Sequence, residues 1–132
     1  MDLGRLSFNA SAAWIDAEAR GSGFASALDG NRPSQTPRFA GGATVTYRPA
    51  RDWVISATLR HVGSQFEDDL ETDVLPAATT LDAFAQVPIT GKLAFVLRGE
   101  NLTGETIVTR NQGGSIDLGT PTTIWGGLRW GF

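Results

Sequence analysis

Apolar and polar residues alternate along this chain with a period of two, the spacing of a strand whose faces meet different surroundings. Six segments carry the pattern. In residues 5–16, Leu6, Phe8, Ala10, Ala12 and Trp14 share one face, against Ser7, Asn9, Ser11 and Ala13. In residues 38–48, Phe39, Gly41, Ala43, Val45 and Tyr47 oppose Arg38, Gly42, Thr44, Thr46 and Arg48. In residues 52–62, Trp53, Ile55, Ala57 and Leu59 oppose Val54, Ser56, Thr58 and Arg60. In residues 78–87, Leu81, Ala83, Ala85 and Val87 oppose Thr80, Asp82, Phe84 and Gln86. In residues 92–102, Leu93, Phe95, Leu97 and Gly99 oppose Ala94, Val96, Arg98 and Glu100. In residues 122–132, Ile124, Gly126, Leu128, Trp130 and Phe132 oppose Thr123, Trp125, Gly127, Arg129 and Gly131. Helical periodicity is poor throughout, because Gly and β-branched residues interrupt each stretch that would carry it. The pattern predicts an all-β chain, an antiparallel up-and-down meander of about six long strands.

The connections add an asymmetry. Arg48-Pro49-Ala50-Arg51-Asp52 and Pro88-Ile89-Thr90-Gly91 are short, turn-rich links. The links over 17–37, 63–77 and 103–121 are long and rich in Gly, Ser, Asn, Asp and Thr. Long and short links alternate, so antiparallel strands place all long loops at one end. Membrane barrels have that arrangement, with short periplasmic turns and long extracellular loops. Segments of about 11 residues suit a tilted membrane span better than a soluble sheet. Trp14, Tyr47, Trp53, Trp130 and Phe132 lie near segment ends, where interfacial girdles place aromatics. Arg38, Arg60, Arg98, Glu100 and Arg129 form a charged set on the polar face. A dry core would not accept them cheaply, but a wet lumen would. The fold class expected is therefore a segment of a transmembrane β-barrel.

Composition narrows the function. The chain has 132 residues, 41% hydrophobic and 19% charged, with a net charge of −3. That is one domain's length, too apolar for disorder and too acidic for a general nucleic-acid binder. With no cysteine there is no disulfide framework, thiolate metal site or cysteine nucleophile. No run reaches the length of a transmembrane helix, and Met1-Asp2-Leu3-Gly4-Arg5 lacks the apolar region of a secretory signal. His61 is the single histidine, and no nucleophile elbow accompanies Ser64, so no enzyme is expected. The densest charge run is Glu67, Asp68, Asp69, Glu71 and Asp73. It reads first as a solvated loop. Hard cations take carboxylate oxygens, but the D-x-D-x-D-G order of a calcium loop is missing. No cofactor or metal is expected.

The final stretch, Thr122 to Phe132, resembles the C-terminal signal of bacterial outer-membrane barrels, with Ile124, Leu128, Trp130 and Phe132 as its alternating hydrophobic members. More narrowly, the chain resembles the C-terminal β-barrel portion of a TonB-dependent outer-membrane receptor. Thr36-Pro37-Arg38 leads into a strand ending Tyr47-Arg48-Pro49. Val62-Gly63-Ser64-Gln65-Phe66-Glu67-Asp68-Asp69 is similar to a stretch that opens an extracellular loop. Leu81-Asp82 opens the fourth strand, and Glu100-Asn101-Leu102-Thr103 closes the fifth. Gly119-Thr120-Pro121 opens the last, with Thr122 where the family often has Arg.

The resemblance implies a 22-stranded barrel with an N-terminal plug and a TonB box, neither of which is in this sequence. Six strands also fall below the roughly eight of a closed membrane barrel. Residues 1–132 are thus expected to be the last strands of such a barrel, a fragment that transports nothing alone. The implied partners are outer-membrane lipid, the barrel assembly machinery, the remaining barrel and plug, and TonB through the missing region; nucleic acid is not one. The implied function is uptake of a scarce nutrient, such as a ferric siderophore or cobalamin, in the outer membrane of a Gram-negative cell. Candidate ligand contacts are Asp68 and Asp69 in a loop and Arg60 and Arg98 on the lumen face; the competing reading has these arginines paired with neighbours or plug. A porin or adhesin piece and a soluble β-sandwich binding module are the alternatives. The barrel reading requires Ile55, Leu59, Leu97, Leu128 and Trp130 to share one outward face with Leu93 and Phe95.

Overall fold

The structure, a computed structural model, describes residues 2–131. Phe132, the terminal member of the expected assembly signal, lies outside the described residues. In chain order the elements are β1 (Asp2–Leu3), β2 (Leu6–Trp14), a 3-10 helix (Gly23–Leu28), β3 (Phe39–Tyr47), β4 (Val54–Val62), β5 (Gln65–Phe66), β6 (Val74–Leu75), β7 (Ala78–Pro88), β8 (Leu93–Glu100), β9 (Val108–Gln112), β10 (Ser115–Leu118) and β11 (Thr123–Trp130). One sheet takes the order β1-β2-β3-β4-β7-β8-β11, every neighbour antiparallel. The long strands β2, β3, β4, β7, β8 and β11 are the expected meander, each 8–11 residues long. Trp53 falls just before its strand. β1 was not expected. It is a two-residue stub that pairs with β2 across a tight turn where Gly4 takes φ +73, a conformation open to Gly without strain.

Register explains why the alternation matters. Directly paired residues point to the same side of a sheet. The pairs Phe8–Val45, Val45–Ala57, Ala57–Ala83, Ala83–Gly99 and Gly99–Ile124 form one row across the long strands. A second row runs Leu6, Tyr47, Ile55, Ala85, Leu97 and Gly126. Leu128 pairs with Phe95 and Trp130 with Leu93. Ile55, Leu59, Leu97, Leu128 and Trp130 therefore share the face of Leu93 and Phe95, as the barrel reading requires. The opposite face carries Ser7, Thr46, Ser56, Phe84, Arg98 and Trp125 in one row. There Thr44 and Thr58 bond hydroxyl to hydroxyl at 2.9 Å.

Almost nothing covers the apolar face. Leu75 is the one buried hydrophobic residue among the described residues, and it sits outside the main sheet. Leu97 is 42% exposed, Leu128 68% and Trp130 59%. The accessible surface is 8917 Å². A compact monomer of this mass would show about 6,700 Å². The excess is that of a single layer without a partner layer. A sandwich would need a second sheet over the apolar face, and β5–β6 and β9–β10 are only two-stranded hairpins. Among the described residues no helix is long and apolar enough to cross a membrane, which says nothing about a β-barrel.

The turns between β1 and β2, β3 and β4, and β7 and β8 lie at one end of the sheet. The other end carries three long loops: L1 (15–38), L2 (63–77) and L3 (101–122). Each has more order than its composition suggests. L1 contains the 3-10 helix, L2 the β5–β6 hairpin and L3 the β9–β10 hairpin.

Candidate functional site

Period-two geometry gathers the charges of the polar face at its loop end. Residues two apart on a strand share a face, which aligns Arg98 with Glu100 on β8. Arg60 on β4 and Asp82 on β7 are diagonal neighbours, because Arg60 pairs with Thr80 and Thr58 with Asp82. Both couples are ion pairs, Arg60 with Asp82 and Arg98 with Glu100. The carboxylates lie low, with 20% and 21% side-chain exposure, while the guanidinium groups stand out at 61% and 60%. Arg98 also lies 5.6 Å from the ring centre of Trp125, its direct cross-strand partner, close enough for a cation–π contact.

These residues floor a groove of about 650 Å³ between the sheet and loops L2 and L3. Thr80, Asn101, Thr109 and Thr120 add polar groups, and Val62, Pro76, Ile107 and Val108 form apolar walls. The size suits a small-molecule site. Two cations face two anions, so the groove offers hydrogen-bond donors without a large net field. The other expected lumen charges lie elsewhere. Arg129, at the short-turn end, donates to Gln86 Oε1 at 3.1 Å. Arg38 precedes β3, and its carbonyl accepts the Ile15 N–H at 2.9 Å.

Asn101 closes β8 above this floor. It is 3% exposed and takes φ +47, a left-handed conformation that Asn tolerates better than most residues. Its Nδ2 donates to the carbonyls of Glu105 and Thr120, at 2.8 and 3.0 Å. Its Oδ1 accepts from Thr103 Oγ1 and from the Glu105 N–H, at 3.0 and 3.1 Å. Both donors and both acceptor positions of the amide are thus used. Its own N–H donates to Asp82 Oδ1 at 2.9 Å, and its carbonyl accepts Thr122 Oγ1 at 2.7 Å. The Asn-Leu stretch noted in the sequence is a joint that pins both ends of L3. Its role was readable from neither charge nor periodicity.

The acidic run serves the loops. The Asp68 carboxylate accepts from the N–H groups of Leu70, Thr72 and Asp73 and from Thr72 Oγ1, at 2.8–3.3 Å. The Asp73 N–H, helped by the bonds from Thr72 and Leu70, holds the Asp68 carboxyl below its ordinary value of 3.8. Asp69 Oδ1 accepts the Ser34 N–H at 2.7 Å, and its carbonyl accepts Asn31 Nδ2 at 2.9 Å. Glu71 accepts the Arg32 N–H at 2.8 Å. The structure therefore brings Arg60 and Arg98 to one groove and places Asp68 and Asp69 outside it. Among the described residues, no three His, Cys, Asp or Glu side chains gather as a metal site. His61 packs at a strand end, with Nδ1 2.8 Å from Thr79 Oγ1 and its ring 5.8 Å from that of Phe39.

A one-layer sheet, apolar on one side and charged on the other, with all long loops at one end, is a sector of a membrane-type β-barrel. The family model for the TonB dependent receptor-like beta-barrel matches residues 2–102, and the chain belongs to that family. Solved structures agree on the fold. The siderophore receptor PiuA from Acinetobacter baumannii superposes with a TM-score of 0.82 at 17% identity, covering 96% of this chain and 19% of the receptor. The ferric citrate transporter FecA in its unliganded form gives 0.79 at 23% identity, covering 95% and 21%. The ferric yersiniabactin uptake receptor FyuA from Yersinia pestis gives 0.81 at 19%, covering 96% and 21%. The chain thus spans about a fifth of the length of these receptors. A comparison with curated proteins finds no match.

Proposed function

We propose that this chain forms wall and mouth of an outer-membrane TonB-dependent receptor that takes up a scarce nutrient, a ferric siderophore or a chelate of similar kind. The carrying observation is the uncovered apolar face that runs without a charged residue from Leu6 on β2 to Trp130 on β11. Water would penalise such a face, and lipid would cover it. The structural neighbours, a siderophore receptor, a ferric citrate transporter and a ferric yersiniabactin uptake receptor, support the nutrient class. In this reading residues 1–132 are the last strands of the barrel. Ile124, Leu128, Trp130 and Phe132 are its assembly signal for the barrel assembly machinery; the first three share the apolar face. A plug and a TonB contact belong to the remainder of the receptor. Arg60 and Arg98 face the passing ligand, and no enzymatic step is assigned.

Single-cysteine labelling in the full receptor, with any cysteine outside residues 1–132 replaced by serine, tests this; these residues contain none. Cysteine at Leu59 or Leu97 should react in intact outer membranes only with a lipid-soluble maleimide. Cysteine at Ser56 should react with a water-soluble one. Equal labelling of both faces by the water-soluble reagent would sink the barrel reading.

A further inference from the structure

We propose that Asp82 is a positioning residue that ties the three long loops, as one body, to the charged wall of the lumen. The inference rests on the receptor reading and concerns how the mouth of that receptor is held. Asp82 uses its two oxygens differently. Oδ2 takes the Arg60 guanidinium on the wall, and Oδ1 takes the Asn101 N–H at 2.9 Å. Through Asn101 the second bond reaches both ends of L3, at Glu105 and Thr120.

L3 in turn holds L2. The Gly113 N–H donates to Asp73 Oδ2 at 3.1 Å, and Asn111 Nδ2 donates to the Val74 carbonyl at 3.2 Å. L2 holds L1. Asp69 and Glu71 take the N–H groups of Ser34 and Arg32, and the Phe66 carbonyl takes that of Gln35 at 2.7 Å. The Arg32 guanidinium lies 4.7 Å from the centre of the Phe66 ring. A continuous set of hydrogen bonds therefore runs from the wall through L3 and L2 to L1. Most link a side chain to a backbone group, so each fixes a loop segment rather than two mobile side-chain tips.

A ligand oxyanion that drew Arg60 away would leave the Asp82–Asn101 bond in place. Loss of the Asp82 carboxylate would loosen the cap, leaving L3 on β7 through the Leu102 N–H to the Leu81 carbonyl and Thr103 Oγ1 to the Thr79 carbonyl. The two halves of the Asp82 contact are separable. Asn at position 82 keeps an amide oxygen for the Asn101 N–H and gives up the charge pair. Ala gives up both.

The test is amide hydrogen exchange on the full-length receptor, wild type and three variants. Asp82→Ala should speed exchange about tenfold at Gly104 and Gly113, and also at Glu67 in L2 and Gln35 in L1. Asp82→Asn should restore slow exchange at all four, and Arg60→Ala should leave them unchanged. The proposal falls if the Asp82→Ala effect stops within residues 101–105. It also falls if Arg60→Ala loosens the loops equally, or if Asp82→Asn fails to rescue. Should Asp82→Ala not assemble, Asp82→Ser is the deletion variant, because its hydroxyl is too short to span both contacts. Strand amides of β3 and β4 report the barrel itself. Their protection in wild type, with an Asp82→Ala effect confined to residues 101–105, would overturn this proposal alone, and their exposure in wild type would count against the receptor reading.

Discussion

Leu102 folds back over Gly99. A methyl group at position 99 would stand 2.8 Å from Leu102 Cδ2 and 3.2 Å from its Cγ. The two are held in this relation because the Leu102 N–H donates to the Leu81 carbonyl at 2.7 Å, which fixes the backbone beyond β8. Gly99→Ala should push the side chain aside at a cost under about 1 kcal/mol, because Leu102 is 39% exposed and its tip can turn away. Gly99→Val should cost more. Thermal unfolding of the full receptor, followed by loss of its compact gel mobility, measures both. Unchanged midpoints would show that Leu102 moves freely.

Asn101 combines a conformation with a set of bonds, and two substitutions separate them. Asn101→Gly keeps the left-handed backbone and loses the amide bonds, leaving the Glu105 and Thr120 carbonyls without their donor. That loss should cost about 2–3 kcal/mol. Asn101→Ala adds backbone strain of roughly 1 kcal/mol. Equal stability of the two variants in denaturant melts would show that φ +47 carries no strain here.

Asp68 makes loop order depend on acid. Its folded value lies below the ordinary 3.8, with the Asp73 N–H the largest cause. A depressed carboxyl contributes stability that is fully present above the unfolded value and lost as pH falls through the folded one. A spin label at Leu70, an exposed position, should stay immobile at neutral pH and loosen only below about pH 4. Asp68→Asn offers one acceptor oxygen to several donors. Its label should be mobile at every pH, and a retained acid transition in that variant would assign the switch to another carboxylate.

Charge tolerance should follow the register. Leu59→Arg and Leu97→Arg put a guanidinium on the apolar face, and each should lower barrel stability by about 2–4 kcal/mol in a bilayer. Ser56→Arg, on the polar face, should cost under about 1 kcal/mol. The fraction of receptor with folded mobility after denaturant titration in liposomes is the measurement. Similar losses at all three positions would mean that the faces do not meet different solvents.

Which parts of this molecule could be read in advance follows from the range of the forces involved. The period-two pattern is local, and it assigns the residues of the six long strands to the faces that their pairing shows, Gly99 and Gly126 included. Loop polarity is equally local, so the separation of long and short links is visible. Order inside the loops depends on contacts between distant segments. Asp69 with Ser34, or Gly113 with Asp73, leave no periodic trace. For that reason the acidic run reads as a solvated loop, and the bonds it makes to L1 and L3 stay out of view. Asp82 belongs to the polar face by parity, yet its diagonal contact to Arg60 and its bond to the N–H of the αL residue Asn101 leave no trace in that pattern. The β1 stub escaped because two residues carry no alternation to detect.

Leu75 is the single buried apolar side chain among the described residues, and it lies in a loop hairpin. The sheet thus has almost no interior. Its hydrophobic free energy is set by whatever solvent wets the face from Leu6 to Trp130, so the equilibrium constant for folding has the surroundings as a reactant. Removing the strands from hydrocarbon into water would give a large positive heat-capacity change; unfolding them while they stay in an amphiphile would give a small one. Calorimetric curves of the same covalent chain should therefore differ in curvature from one lipid or detergent to the next, with no residue altered.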